Sequence, residues 1–402
     1  MLTKQSTYNS FTTISVVDYL KQQKYIHENS LVECEEIGDG NLNYVFRVKE
    51  TETGRTLIVK QALPYAKVVG ESWPLTLDRA RIEGESLKLA AKFVPELVPG
   101  VYGTDDVAAA TVMEDLSAYT LLRKGLIEGE RYPNLAEHIG RFIAHTLFHT
   151  SDFGLEPSEK KVLATKFVNP ELCKITEDLV FTDPFFDHET NEFPEELLPE
   201  VEALWNDDEL KLEAAKLKQL FLTKSEALIH GDLHTGSIFV TRDSSKVIDP
   251  EFGFFGPIGF DVGAFFANLI LNHLSQEARI EDEVKRDSFQ DYLIQVIVET
   301  WEVFTAEFTK LWVENGKGPF IKVAGYLDYV LRQILQDAVG FAGNKIIRRT
   351  IGLAKVEDIN GIEDKEKRLE VQRRALKTGR HLIVNRSQVS TVQNLIQLVK
   401  GD

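Results

Sequence analysis

The hydrophobic pattern changes period part-way along this 402-residue chain, and that change constrains the fold more than any other feature. Residues 1–29 read as an amphipathic helix bearing Val16, Val17, Tyr19 and Leu20, with a polar tail. Residues 31–37, 45–48 and 56–60 then alternate apolar and polar side chains, separated by the turn-forming stretches GDGN and TETGR. A period of two with such breaks predicts an antiparallel meander. A helix over 79–92 and strands over 98–102 and 109–113 complete this part, which ends at residues 113–116. Beyond it the period becomes 3.6 over 135–149, 210–221, 290–308 and 327–341, with short strand-like pieces at 227–229, 238–240 and 246–248. The expected class is α+β and bilobal: an antiparallel-sheet N-terminal lobe over 1–116 and a mainly helical C-terminal lobe over 117–402.

Charge narrows the function classes. The chain carries 63 Asp and Glu against 46 Lys and Arg, a formal net charge of −17. That argues against sequence-independent nucleic-acid binding, which requires a net basic surface. A small anion remains possible, because a few local cations suffice to hold one. The charge is uneven: residues 183–213 hold twelve acids and one base, Lys211, whereas 345–386 hold twelve bases and six acids. The first stretch reads as a solvated acidic face. Two distant cysteines, Cys34 and Cys173, make neither a disulfide framework nor a Cys-based zinc site. The first residues contain no secretory h-region, and the apolar run 265–271 is far short of a membrane span. A cytoplasmic protein acting without a membrane or nucleic-acid partner is expected.

Four groups of residues carry chemistry. Gly38, Gly40, Asn41 and Asn43 lie in IGDGNLNYV between two predicted strands, where glycines let backbone amides approach a phosphate. Lys60 ends the next strand and reaches out as a point charge, with Glu83 or Glu85 of the following helix as its carboxylate partner. The third group is HGDLHTGS, bracketed by apolar strand pieces; it offers Asp232 as a rigidly held general base. His230 and His234 read as loop-bracing hydrogen bonders, since no third ligand follows at zinc spacing. Twelve residues past Ser237, VIDPEF places Asp249 and Glu251 at i, i+2, hard oxygen ligands suited to Mg²⁺ shared with a nucleotide phosphate.

These residues together resemble the protein-kinase-like fold of small-molecule kinases, such as choline kinases and aminoglycoside phosphotransferases. The resemblance implies ATP and Mg²⁺ as cofactors, Asp232 as the base and Asp249 as metal ligand. It also makes Met113, Glu114, Asp115 and Leu116 the hinge whose backbone binds adenine. One departure stands out. The family has Asn five residues after the base, and here that position is Ser237, so Ser237 or Glu251 supplies the missing oxygen.

Further stretches (EIGDGNLNYVF, GESWPL, FTDPFF and IRRTIG) make residues 33–354 similar to the methylthioribose kinases. That likeness implies 5-methylthioribose as substrate, phosphorylated at its anomeric hydroxyl in methionine salvage, and a homodimer. It brings Arg348 and Arg349 to the substrate. Trp73, in a Gly- and Pro-flanked loop, either closes over the sugar or packs on the lobe surface. Rival readings are another small-molecule kinase acting on an aminoglycoside, choline or homoserine, or a catalytically dead nucleotide-binding scaffold. The arginine pair argues against a polycationic substrate, and retention of Lys60, Asp232 and Asp249 argues against a dead scaffold.

Overall fold

The structure, a computed structural model, describes residues 8–37, 42–66 and 70–401, with the backbone alone at 66 and 70–73. The chain divides into two compact units, and the first takes back a short piece from far along the sequence. It comprises the residues up to Tyr119 together with Lys246–Phe252; the second comprises Thr120–Ser245 and Gly253–Asp402.

The first unit opens with helix α1 (Thr13–Gln22), started by a reciprocal capping box between Thr12 and Ser15. Strands β1 (Val32–Glu36), β2 (Asn43–Glu50) and β3 (Thr56–Ala62) follow, then a small hairpin of β4 (Tyr65–Ala66) and β5 (Gly70–Pro74). Residues 70–74, expected as a loop, are thus strand, because their backbone pairs with 65–66. Helix α2 (Asp78–Ala90) and strands β6 (Val101–Asp105) and β7 (Ala110–Met113) complete the unit. The main sheet runs β1-β2-β3-β7-β6, antiparallel at every step. Alternation along β3 decides what each face does. Leu57 and Val59 join Val16 and Leu20 of α1, with Phe46 and Val112, in one core; each such side chain contributes on the order of 2 kcal/mol. Lys60 and Ala62 point the other way, where Ala62 packs with Ala80 of α2. Helix and sheet approach closely at Gly84, since a Cβ there would meet Thr104 Cγ2 at 2.4 Å.

The second unit begins with β8 (Thr120–Leu121), α3 (Leu122–Ile127), α4 (Leu135–Thr150), α5 (Pro157–Ala164), α6 (Pro170–Leu179), α7 (Leu198–Trp205) and α8 (Asp208–Thr223). Next come β9 (Ala227–Ile229), β10 (Ile238–Val240) and β11 (Ser245–Val247), the last leading the chain into the 246–252 segment. Strand β12 (Phe254–Gly256) then pairs with β9, as β10 pairs with β8. The remainder is helical: α9 (Ile258–Arg279), α10 (Glu283–Asn315), α11 (Tyr326–Ile351), α12 (Glu357–Asn360), α13 (Lys365–Asn385) and α14 (Val392–Lys400).

Helix α9 is buried from Ile258 through Gln276. A helix buried on all sides belongs at the centre of a large core. It lies against α11 at backbone distance: a Cβ at Gly263 would meet Ala338 O at 2.4 Å. Helix α11 runs ten residues past the expected end at 341, so Lys345, Arg348 and Arg349 lie on a buried helix turn. No helix among the described residues is long and apolar enough to cross a membrane. The expected α+β, protein-kinase-like architecture, with an antiparallel-sheet N-terminal region and a mainly helical remainder, is borne out.

Candidate active site

In the first unit, the side of β3 turned to α2 gathers Lys60, Glu83 and Asn43 with the carboxylates of Asp249 and Glu251. Lys60 is buried, with Nζ donating to Glu83 Oε1 at 2.8 Å and also to Asp249 Oδ1. Burial alone would lower the Lys60 pKa, but Asp249, Glu83 and Glu251 outweigh it and raise it above its usual value. Burial lifts Glu83 above the usual carboxylate range, against the pull of Lys60. Glu83, not Glu85, is therefore the lysine's partner; Glu85 instead pairs with Lys88 on the same helix at 3.1 Å.

Asp249 has φ of 63°, the left-handed region that non-glycine residues seldom adopt. Such a conformation at a candidate site re-aims a carboxylate that regular backbone would point elsewhere. The following turn, Pro250–Phe252, delivers Glu251 to Arg79.

Arg79 was not anticipated from the sequence. It is fully buried, and its Nη1 donates to Glu251 Oε2 at 2.6 Å and to Asn43 Oδ1 at 2.5 Å. Its Nη2 reaches the carbonyls of Leu42 and, at 2.8 Å, Leu63. Asn43 Nδ2 closes the triangle onto Glu251 Oε2 at 3.3 Å. The available signal was spacing: Arg79 lies one turn before Glu83 on the same helix face.

A hard cation needs oxygen ligands, and the two carboxylates differ in readiness. Asp249 has a side chain 41% exposed, whereas that of Glu251 is 8% exposed with Oε2 already accepting from Arg79 and Asn43. Among the described residues no three or more His, Cys, Asp or Glu side chains are grouped to hold a metal; Asp249, although its Oδ1 accepts from Lys60, presents the more exposed carboxylate to a hard cation. The residues expected as hinge are anchored by their side chains: Asp115 pairs with Arg47 at 2.8 Å, and Glu114 accepts from Gly100 N at 2.9 Å. Met113 and Leu116 are buried. Gly38, Gly40 and Asn41 lie outside the described residues, as does the Trp73 side chain.

In the second unit, β9 feeds residues 230–237. The loop is held from below by Asp261 of α9, which accepts from His230 N at 2.6 Å and Gly231 N at 3.0 Å. Gly231 supplies the positive φ, 84°, that turns the chain. His230 braces the loop, its Nδ1 accepting from Asp232 N at 3.3 Å. Ser237 is buried, its Oγ accepting from His234 N at 3.0 Å and donating to His234 O at 2.8 Å. Here its hydroxyl braces the loop itself.

The Asp232 carboxylate is ringed by donors. Lys345 Nζ lies 2.7 Å from Oδ1, while His234 Nε2 and Arg349 Nη2 lie 3.3 and 3.5 Å from Oδ2. Burial would raise the Asp232 pKa, but Lys345, His234 and Arg349 together hold it well below the usual carboxylate range. Burial pushes His234 down to about 4, so it is neutral at pH 7. Burial, then the neighbouring Arg348, brings Arg349 down to about 9. Arg348 Nε and Nη1 and Arg349 Nε are buried with no hydrogen-bond partner among the described residues. Arg123 of α3 belongs to the same cluster, with Nε 3.2 Å from Asp358 Oδ2 and Nη2 donating to Asn268 at 3.0 Å. Like Lys345, it went unnoticed in the sequence because its partners are remote along the chain.

A cation clasped by carboxylates and a carboxylate clasped by cations are the equipment of phosphoryl transfer. Residues 33–293 match the model of the phosphotransferase enzyme family, and the chain belongs to it. Within that family it is 58% identical to the methylthioribose kinase of Geobacillus sp. strain WCH70, over 92% of this chain and 90% of the relative. It is 56% identical to the methylthioribose kinase of Geobacillus kaustophilus HTA426, over 95% and 94%. In fold it is similar to a crystal structure of glucosamine kinase, with a TM-score of 0.51 at 12% identity over 91% of this chain and 84% of that one.

Proposed function

We propose that this protein transfers the γ-phosphoryl group of ATP to the anomeric hydroxyl of 5-methylthioribose, giving 5-methylthioribose 1-phosphate and ADP. The observation that carries the reading is Asp232, an ionised carboxylate among buried cations, two of which keep unpartnered guanidinium donors. Identity above 50% to methylthioribose kinases over nearly the whole chain supports the substrate.

In this reading Lys60, fixed by Glu83, pairs with the ATP phosphates, and residues 113–116 hold the adenine. Asp249 would hold Mg²⁺, with Glu251 of the same turn the candidate for a further oxygen. The metal, when bound, neutralises phosphate charge. Asp232 accepts the hydroxyl proton as the sugar oxygen forms its bond to phosphorus and the bond to the β,γ-bridging oxygen breaks, leaving ADP. Arg348 and Arg349 donate to the transferring phosphoryl oxygens or to the ribose hydroxyls. The two widely separated free thiols, Cys34 and Cys173, suit a reducing cytoplasm. Assembly as a homodimer belongs to the same reading and is checked by light scattering.

A coupled ADP-release assay with 5-methylthioribose, choline and kanamycin in parallel tests the substrate. Turnover is expected with the thiosugar alone. Preference for choline or kanamycin overturns the substrate, and release with none of the three overturns the kinase reading in favour of a nucleotide-binding scaffold.

A further inference from the structure

Helix α11 carries a third cation, Lys345, one turn before the arginine pair. It is buried, 3% exposed, with Nζ 2.7 Å from Asp232 Oδ1 and 4.8 Å from the centre of the Phe260 ring. A lysine taken out of water in this way is retained as a cation only by a close counter-charge. Burial lowers its pKa, and Asp232 opposes that fall.

The two oxygens of Asp232 are treated differently. Oδ1 is clamped by Lys345, whereas the contacts to Oδ2, from His234 and Arg349 at 3.3 and 3.5 Å, are long. A hydroxyl donor can displace long contacts; it cannot displace a buried 2.7 Å ion pair. We infer that Lys345 is a positioning residue, fixing the Asp232 carboxylate so that Oδ2 receives the acceptor's proton and keeping that carboxylate ionised until it does.

The inference rests on Asp232 being the base. The titratable and charged groups around it come from five elements. Helix α11 gives Lys345, Arg348 and Arg349; the loop gives His234, neutral at pH 7; α3 gives Arg123; α12 gives Asp358, which pairs with Arg123; and α9 gives Asp261, which bonds to the backbone of His230 and Gly231. Lys345 makes the shortest charged contact, so its removal should change ionisation most.

The test compares Lys345→Met, Lys345→Arg and Asp232→Asn in the full chain. Each is assayed for kcat against pH, KM for ATP and for the sugar, and thermal midpoint. In Lys345→Met, kcat is expected to fall about 100-fold and the ATP KM to hold within about twofold. The acid limb of kcat should move up by roughly one pH unit or more, because Asp232 without its cation takes a proton at higher pH. Lys345→Arg should restore the limb and about tenfold of the lost rate, since charge is retained and geometry altered.

An unmoved limb in folded Lys345→Met, or a limb displaced in Lys345→Arg, overturns the inference. Should Lys345→Met not fold, Lys345→Arg decides alone: a tenfold fall in kcat with the limb in place is expected, and wild-type kcat overturns the inference. Asp232→Asn separates the two levels. If it is inactive while Lys345→Met has the wild-type rate and profile, Lys345 alone is misassigned; if it turns over normally, the base assignment itself fails.

Discussion

The two clusters are built on opposite charge logic. In the first unit two cations, Lys60 and Arg79, sit among three carboxylates: Glu83, Asp249 and Glu251. In the second, Lys345, Arg348 and Arg349 crowd around Asp232, while Asp358 answers Arg123 in the same cluster. In the proposed reading the acidic excess meets a metal ion and the basic excess meets phosphoryl oxygens. Both solve the same burial problem, since an ion taken from water is costly without a partner. The difference teaches where ligands enter. Arg348 keeps a terminal nitrogen, Nη1, without a partner among the described residues, whereas Arg79 spends both of its terminal nitrogens on Glu251, Asn43 and two carbonyls and leaves only Nε, as Arg349 does.

Removing the Asp232 carboxylate from the basic cluster should break the comparison hardest. Asp232→Asn is expected to lower kcat by about 10³-fold with ATP affinity largely intact, measured by steady-state kinetics and nucleotide titration. Next comes the cation of the acidic cluster. Lys60→Met should cost about 100-fold in kcat/KM for ATP, the kinetic equivalent of a charge-assisted contact worth ~3 kcal/mol. A loss confined to the sugar KM would show that Lys60 serves the acceptor instead.

Arg79→Met tests whether the Glu251 pair is structural. It strands a buried carboxylate and two carbonyls, so a loss of about 3–5 kcal/mol in denaturant unfolding is expected. Adding Glu251→Gln should then recover at least ~1 kcal/mol, because no buried charge remains unpaired. The smallest effect sharpens the Lys60 partner. Glu85→Gln touches an exposed helix pair and should change stability by less than ~0.5 kcal/mol, with ATP KM unaltered.

Much of this was legible in the residues. The alternation along β2 and β3, the helix α2 with Glu83, and the two short strands bracketing HGDLHTGS follow from local periodicity and turn chemistry, which act within a few residues. Helix α9 is harder to read, because it is buried all round and its polar residues, Asp261, Asn268, Asn272 and Gln276 among them, are buried with the rest instead of marking a solvent face. The end of α11 is likewise hard to read, since its buried second half mixes apolar residues with Asn344, Lys345, Arg348 and Arg349.

The sequence by itself determined the two-part α+β organisation and nominated Lys60, Glu83, Asp232 and Asp249, because each sits in a motif whose spacing carries meaning; the arginine pair came only with the likeness to the methylthioribose kinases. Only the tertiary structure decided their partners. Burial and long-range packing chose Glu83 over Glu85, turned Glu251 toward Arg79, and set Ser237 to bracing its own loop. They also brought Lys345 to Asp232 across 113 residues of chain. Local pattern specifies which face a side chain takes; which counter-charge it meets depends on elements folded from far away, and one sequence alone holds no signal for that.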